Sequence, residues 1–217
     1  IKKCKKVYRE TYTVQLPYPK EKLEKTLQKK IISLDRVAVE SLNFVKDAKK
    51  QDVALLVYGS PLFATTHSTI LKECRKLKIP YHIQSNASVF DAIGQTGLQL
   101  YKFGKITSLP RWQKNYQPQS FIDVVLENKK INAHSLILID IGLDAKTALD
   151  QLEIVLKKRK IANEKIILCS CLGTAHETIF YGSIQELKAK KIREPFCLII
   201  LAPLHFMEEE CLKEFEI

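Results

Sequence analysis

The chain has 217 residues, of which 46% are hydrophobic and 27% are charged. This balance is typical of a folded globular protein and excludes a disordered chain. No apolar run reaches the roughly 20 residues that a membrane-spanning helix needs. The net charge of +11 could favour binding to nucleic acid or to another acidic partner. Because aromatic residues are not interleaved with the lysines, a solvated Lys-rich surface is the favoured interpretation.

Six cysteines occur without a C-x-x-C pair or any other zinc-binding spacing. Cys169 and Cys171 fall two apart in an apolar run, so on a strand both side chains would face the same side. The cysteines therefore predict reduced thiols in a cytoplasmic protein, rather than a metal site or a disulfide framework.

Short apolar runs in chain order predict strands that are buried on both faces, as in a sheet covered by helices. These strands are residues 7–14, 53–58, 81–84, 136–141, 166–171 and 197–201. Apolar residues spaced by three and four predict helices between them, over residues 21–32, 68–77, 120–127 and 147–156. The alternation of strands and helices predicts an α/β protein with mainly parallel sheets.

A stretch with two prolines and no clear periodicity, residues 108–119, predicts a connector. We therefore expect two α/β lobes, over residues 1–107 and 120–217. Asp144 precedes the helix predicted at residues 147–156 and is a plausible N-cap for it.

The sharpest local feature lies where the strand predicted at residues 53–58 ends in Gly59-Ser60-Pro61 and a helix follows. Ligands bind at the carboxyl ends of strands in open α/β sheets, and glycine permits a positive φ or a close approach to a ligand. The segment Thr65-Thr66-His67 could supply polar groups to a ligand or simply cap the helix. Taken alone, a tight strand-to-helix turn explains this segment somewhat better than a site does.

A second strand, predicted at residues 81–84, also runs into small polar residues, among them the turn formers Asn86 and Ser88. The following helical stretch contains Gly94 and Gly97, which predict close packing or a bend. Phosphate-cradling and dinucleotide-binding glycine motifs and a nucleophile elbow are absent from the sequence. The five histidines are isolated and lack metal spacing, which favours structural or surface roles.

Read in order, several segments resemble the diphthine synthase family, a branch of the tetrapyrrole-methylase-like S-adenosylmethionine-dependent methyltransferases. Residues 53–67, V-A-L-L-V-Y-G-S-P-L-F-A-T-T-H, are similar to the family's strand and G-D-P-L-x-A-T-T-H loop. The turn S-N-A-S-V at residues 85–89 and the segment G-L-Q-L-Y-K-F-G at residues 97–104 also match. Weaker matches are residues 118–121 in the connector and L-H-F-M-E-E-E at residues 204–210.

The resemblance implies a two-lobed methyltransferase, often a homodimer, with S-adenosylmethionine in the cleft between the lobes and S-adenosylhomocysteine as product. By position, it implies cofactor contacts from Ser60, Phe63, Ser88, Val89, Leu136, Leu172 and Phe196. The implied substrate is the modified histidine of translation elongation factor 2, in the cytoplasm, with no direct nucleic-acid or membrane partner. Positioning the acceptor amine in line with the sulfonium supplies most of the catalysis, so no general base is assigned.

The sequence departs from the family pattern at several positions. Ser60 replaces the family's Asp, Phe196 stands where the family usually has His, and S-C-L-G at residues 170–173 lacks the family's Arg. The family also has a strand and a glycine-rich loop ahead of the segment that resembles residues 1–12. We expect these to precede the given sequence, because a lost central strand would expose a long apolar edge.

Two other functions stay open from the sequence. One is a related methyltransferase with a small-molecule acceptor such as a tetrapyrrole. The other is a non-catalytic homologue that binds the cofactor, which the Ser60 replacement weakly supports. The N-A-S and G-L-Q-L-Y segments favour the branch that modifies a protein.

Overall fold

The computed structural model describes residues 1–161 and 165–217. The chain forms two compact units, residues 1–88 and residues 89–217. The division falls nearer the N-terminus than the predicted connector. A compact unit does not have to coincide with a domain. The predicted domain limits, residues 1–107 and 120–217, therefore stay a prediction. Among the described residues, no helix is long and apolar enough to cross a membrane.

The first unit is built on a parallel three-stranded sheet with strand order β2-β1-β3. Its strands are β1 (Lys6–Glu10), β2 (Ile31–Leu34) and β3 (Val53–Leu56). Its helices are α1 (Lys20–Leu27), α2 (Arg36–Glu40) and α3 (Ser68–Lys76), with a 3₁₀ helix at Asn43–Lys49. This order of alternating strands and helices explains why the sheet is parallel, since each crossover brings the chain back to the end of the sheet from which the previous strand started.

The core of the first unit lies between the sheet and its helices. Tyr8 packs edge-on against Phe44, with ring centroids 5.6 Å apart, and its hydroxyl donates to Asp47. Lys6 forms an ion pair with the same Asp47 carboxylate at 2.8 Å. The remaining buried members of this cluster are Leu34, Val39, Val45, Cys74 and Ile79.

Two expectations for the first unit are wrong. The helix predicted over residues 21–32 ends at Leu27, because Gln28 takes a left-handed conformation (φ 53°) and Ile31–Leu34 becomes β2. The strand predicted over residues 81–84 is not formed. β3 remains the edge of the described sheet, because residues 81–84 do not pair with it, and Tyr81 is exposed.

The second unit contains a five-stranded mixed sheet of order β4-β5-β8-β6-β7. The strands are β4 (Thr107–Leu109), β5 (Ser135–Ile139), β6 (Ile166–Ser170), β7 (Thr178–Gly182) and β8 (Phe196–Ile200). The helices are α4 (Val89–Ala92), α5 (Ser120–Lys130), α6 (Ala145–Lys158), α7 (Ile184–Lys188) and α8 (Phe206–Leu212). Short 3₁₀ helices occur at Ile93–Thr96, Leu100–Lys102 and Lys213–Phe215.

Hydrophobic clusters cover both faces of the second sheet. Ile166 and Leu168 belong to one cluster, whereas Ile167 and Cys169 belong to the other. This alternation is the two-residue period of a strand, and it confirms the prediction of strands that are buried on both faces.

The predicted α/β class is confirmed, with one difference in the second sheet. The first sheet is wholly parallel, whereas in the second only β4 and β5 pair in parallel and the other three pairs are antiparallel. The reason is local: β7 folds back directly on β6 without a crossover helix.

The Asp144 N-cap is confirmed, since its carboxylate accepts from the Thr147 backbone N–H at 3.0 Å. Hydrogen bonds hold the segment predicted as a connector, residues 108–119. Its first residues fall in or next to β4, and the Trp112 indole donates to the Pro118 carbonyl at 3.1 Å. Gln151 on α6 further anchors the connector through hydrogen bonds to Trp112 and Pro110.

Candidate active site

The loop that follows β3 turns sharply at Gly59, which has a φ of +76°. A Cβ at this position would lie 3.5 Å from the Ala87 carbonyl oxygen, so the loop passes beside the predicted turn at residues 85–88. Ser60 and Phe63, both expected to contact the cofactor, are half-buried in this loop. The Phe63 N–H donates to the Ser60 carbonyl at 3.4 Å. The structure thus brings the first two motif segments together.

His67 closes the same loop. Its Nδ1 lies 2.9 Å from the Pro61 carbonyl oxygen, and the residue is only 3% exposed. The His67 side chain forms no capping hydrogen bond to α3, which begins at the next residue. In the part of the chain that the structure describes, His67 Nε2 and Thr65 Oγ1 are buried without a hydrogen-bond partner. A capping role therefore does not explain His67.

A second polar group, which the sequence analysis missed, lies at the carboxyl end of β1. Glu10 is 4% exposed, and its carboxylate accepts from the N–H groups of Tyr12 (3.1 Å) and Thr13 (3.0 Å). The Thr13 hydroxyl also donates to Glu10. Tyr12 in turn packs edge-on against the His67 ring, with centroids 6.0 Å apart. The polar run E-T-Y-T directly after a strand was the signal that could have identified it.

A local side-chain hydrogen bond holds the backbone at residues 85–88. Asn86 Oδ1 accepts from the Ala87 N–H at 2.9 Å. Ser88, the third expected cofactor contact, is buried at 9% exposure. The predicted turn is wrong, because residues 85–88 form neither a turn nor a bend and no strand precedes them. The local hydrogen bond here is made by the Asn86 side chain rather than by a backbone carbonyl.

The second unit carries the other four expected contacts. Val89 and Leu172 are half-buried and pack against the cluster that contains Leu136, which is 1% exposed. Phe196 belongs to the cluster on the opposite face of the sheet. Its backbone pairs with Ser170, two residues before Leu172. The structure thus groups three of the four side chains on one face and leaves the fourth connected to them only through the backbone.

A buried ionic network joins the two motif segments of the second unit. Glu208, with 0% exposure, accepts from the backbone N–H groups of Gln99 (3.0 Å) and His205 (2.9 Å). It also accepts from Lys102 Nζ at 2.5 Å and from His134 Nε2 at 3.3 Å. One carboxylate, that of Glu208, therefore holds the G-L-Q-L-Y segment to the L-H-F-M-E-E-E segment.

The network also fixes the protonation state of His134. Its Nδ1 accepts from the Ala202 N–H at 3.0 Å, so the proton of the neutral ring lies on Nε2 and faces Glu208. Burial lowers the pKa of His134, although the Glu208 carboxylate opposes this shift. Burial alone would raise the pKa of Glu208, but its hydrogen bonds, above all from His205 and Lys102, lower that pKa to about 2.

These shifts predict acid sensitivity. Since the pKa of His134 is lowered on folding, stability is expected to fall below about pH 6.5, where the unfolded histidine gains a proton. A further loss is expected as pH falls from about 4.5 towards 2, because the unfolded Glu208 protonates first. Urea midpoints between pH 3 and 8 measure both steps. His134→Gln should remove the first step, whereas the exposed His176→Gln should leave it unchanged.

Among the described residues, no three His, Cys, Asp or Glu side chains are grouped so that they could hold a metal ion. The polar groups that could serve a ligand in the first unit lie at the carboxyl ends of β1 and β3. That is the edge at which parallel α/β sheets bind their ligands.

The chain matches the family described as Tetrapyrrole (Corrin/Porphyrin) Methylases over residues 2–188. It therefore belongs to the tetrapyrrole methylase family, and the activity of its class is methyl transfer. Diphthine synthase from Methanococcus vannielii is 41% identical over 98% of this chain and 89% of its own length. Diphthine methyl ester synthase from Schizosaccharomyces pombe is 36% identical over 100% of this chain and 87% of its own length.

Solved structures agree with these relatives. A putative diphthine synthase from Entamoeba histolytica is similar with a TM-score of 0.87 and 32% identity, covering 100% of this chain and 89% of that one. A second diphthine synthase structure has a TM-score of 0.88 and 30% identity. Within the family, the chain is thus a member of the diphthine synthase group, which confirms the resemblance drawn from the motifs.

Proposed function

We propose that this chain uses S-adenosylmethionine to methylate the diphthamide precursor, the modified histidine of translation elongation factor 2. The observation that carries the proposal is the near-full-length match to diphthine synthases, with 41% identity over 98% of the chain. The polar groups at the carboxyl ends of the first sheet, among them His67 and Glu10, offer a ligand site that is compatible with this function.

The residues expected to hold the cofactor are Ser60, Phe63, Ser88, Val89, Leu136, Leu172 and Phe196. Their character fits a flat adenosyl group, because most are apolar or half-buried and Gly59 exposes the backbone at the turn. The bound cofactor supplies an electrophilic methyl group on a sulfonium. The chain itself supplies orientation and the exclusion of water, which can account for most of the rate of such a transfer.

Ser60 offers a hydroxyl where the family has a carboxylate. A hydroxyl accepts a hydrogen bond but carries no charge, so it binds a cationic donor and a neutral product more equally than a carboxylate would. This replacement changes the preference between substrate and product rather than the chemistry. It is therefore compatible with an active enzyme.

The proposal extends to a homodimer in the cytoplasm without direct nucleic-acid contact. The six free cysteines suit a reducing compartment. The homodimer rests on the family resemblance, and the acceptor is a protein rather than a nucleic acid. A small-molecule acceptor such as a tetrapyrrole is the second candidate, which the description of the matched family favours. A non-catalytic cofactor-binding homologue is the third.

The first test is titration of the protein with S-adenosylhomocysteine. The wild type is expected to bind, and Gly59→Trp to weaken binding by more than about 100-fold, or about 2.7 kcal/mol, because the indole would fill the space beside the Ala87 carbonyl. Gly59→Ala is the matched control, since it adds φ strain without bulk, and it should stay within about tenfold of wild type.

Mass spectrometry of precursor-bearing elongation factor 2 then identifies the acceptor. Mass gains in steps of one methyl group on that protein support the proposal. Methylation of a tetrapyrrole in its place would favour the second candidate. Cofactor binding without transfer to either acceptor would favour the third.

A further inference from the structure

His67 has the hydrogen-bonding arrangement of a histidine that is held ready to accept a proton. A carbonyl oxygen only accepts hydrogen bonds, so the contact with Pro61 requires a proton on Nδ1. In the neutral ring, the lone pair is then on Nε2. A fixed Nδ1–H donor that orients the ring and leaves Nε2 free is how proteins prepare histidine bases.

The free nitrogen is buried, which has an energetic consequence. A buried acceptor without a partner destabilises the folded protein, and His67 is 3% exposed. Thr65, two residues earlier on the same loop, also has a buried hydroxyl oxygen without a hydrogen-bond partner among the described residues. A ligand that donates an N–H or O–H at this loop would satisfy His67 Nε2.

The neighbouring groups indicate what kind of donor fits. Tyr12 presents an aromatic ring to His67, and aromatic rings attract cations, including methylated ammonium groups. The buried Glu10 carboxylate holds the backbone of Tyr12 and adds a negative charge at the same end of the sheet. A ring and a carboxylate together select an amine in its cationic form over a neutral or anionic group.

We infer that His67 Nε2 is the base that removes the proton from the acceptor amine, with Tyr12 and Glu10 attracting the ammonium and then stabilising the positive charge on the imidazolium. This inference rests on the proposed function. The ammonium N–H proton passes to Nε2, which gives an imidazolium and a neutral amine. The amine lone pair then forms the N–C bond to the methyl group, and the C–S electron pair leaves with sulfur. The imidazolium releases its proton to solvent before the next methyl transfer.

His67→Asn separates this role from loop structure. The Asn amide N–H can replace Nδ1–H as the donor to Pro61, but the side chain has no basic nitrogen at the place of Nε2. S-adenosylhomocysteine binding should stay within about threefold of wild type. Single-turnover methylation of precursor-bearing elongation factor 2 at pH 7 should fall by about 10²–10⁴-fold, the usual contribution of a general base.

The pH dependence distinguishes a base from a structural residue. At high pH the amine is already neutral, so the deficit of His67→Asn relative to wild type should shrink by at least about tenfold between pH 7 and 10. A deficit that is equal at every pH, or a variant within threefold of wild type at pH 7, would overturn the inference. An inactive wild type would instead count against the proposed function.

A measurement independent of turnover uses the protein with ¹⁵N-labelled histidine. At pH 8 the His67 ring should carry its proton on Nδ1 and none on Nε2. Adding a primary alkylamine should shift the Nε2 resonance in the wild type, and Glu10→Gln should weaken that response. A ring protonated on Nε2, or an Nε2 resonance that saturating amine leaves unchanged, would contradict the assignment whatever the activity.

Discussion

Glu208→Ala is expected to lower the free energy of unfolding by about 3–5 kcal/mol, the usual cost of breaking a buried ion pair by removing one partner. The variant leaves Lys102 without its counter-ion and removes the acceptor for the Gln99 N–H. It also removes the acceptor for the His134 ring, which is 0% exposed. Urea unfolding of the whole chain, followed by circular dichroism, measures the loss.

Glu209→Ala provides the matched control, because Glu209 is the exposed neighbour of Glu208 in the same helix. Its effect should stay within about 0.5 kcal/mol. Glu208→Gln should fall between the two, since one amide oxygen still accepts from the backbone but the charge is lost. Equal unfolding midpoints for the Glu208→Ala and Glu209→Ala proteins would show that the network contributes nothing to stability.

Elements that are buried on both faces were predictable from the sequence. β6 and β8 are continuous apolar runs and were placed within one residue of their observed bounds. β7 was missed, because its half-exposed residues give neither an apolar run nor a clear alternation. β2 was read as the end of a helix, since the left-handed turn at Gln28 is not encoded by a glycine.

In the site, too, features formed by neighbouring residues in the chain were predictable, whereas contacts between distant residues were not. The turn at Gly59 and the polar segment at residues 85–88 are local, so their residue types revealed them. Glu10 is the last residue of β1 and His67 lies in the loop between β3 and α3, so only the parallel pairing of β1 and β3 brings them to one end of the sheet. His134 was read as isolated because its partner Glu208 lies 74 residues away in the chain.

Gly97→Ala is expected to destabilise the second unit by about 2–5 kcal/mol, because two costs combine at this position. Gly97 has a φ of +79°, where an alanine costs about 1–2 kcal/mol. An added Cβ would also overlap Cys211 Cβ and lie 2.7 Å from Cys211 Sγ on α8. Such overpacking typically lowers the free energy of unfolding by a further amount of about 1–3 kcal/mol when the backbone must move. Urea unfolding of the Gly97→Ala protein measures the sum.

Two further proteins separate these costs. Gly173 has nearly the same φ, +74°, and a Cβ there would meet nothing within 4 Å, so Gly173→Ala should show the strain of about 1–2 kcal/mol alone. Cys211→Gly removes the overlapping atoms, and adding it to Gly97→Ala should recover the packing cost, a coupling that a double-mutant cycle measures. If Gly97→Ala and Gly173→Ala cost the same, the close approach to α8 is not what requires glycine in the G-L-Q-L-Y segment. If Gly97→Ala costs more than Gly173→Ala and Cys211→Gly relieves the difference, the segment is constrained by its packing on α8, the same helix that carries Glu208.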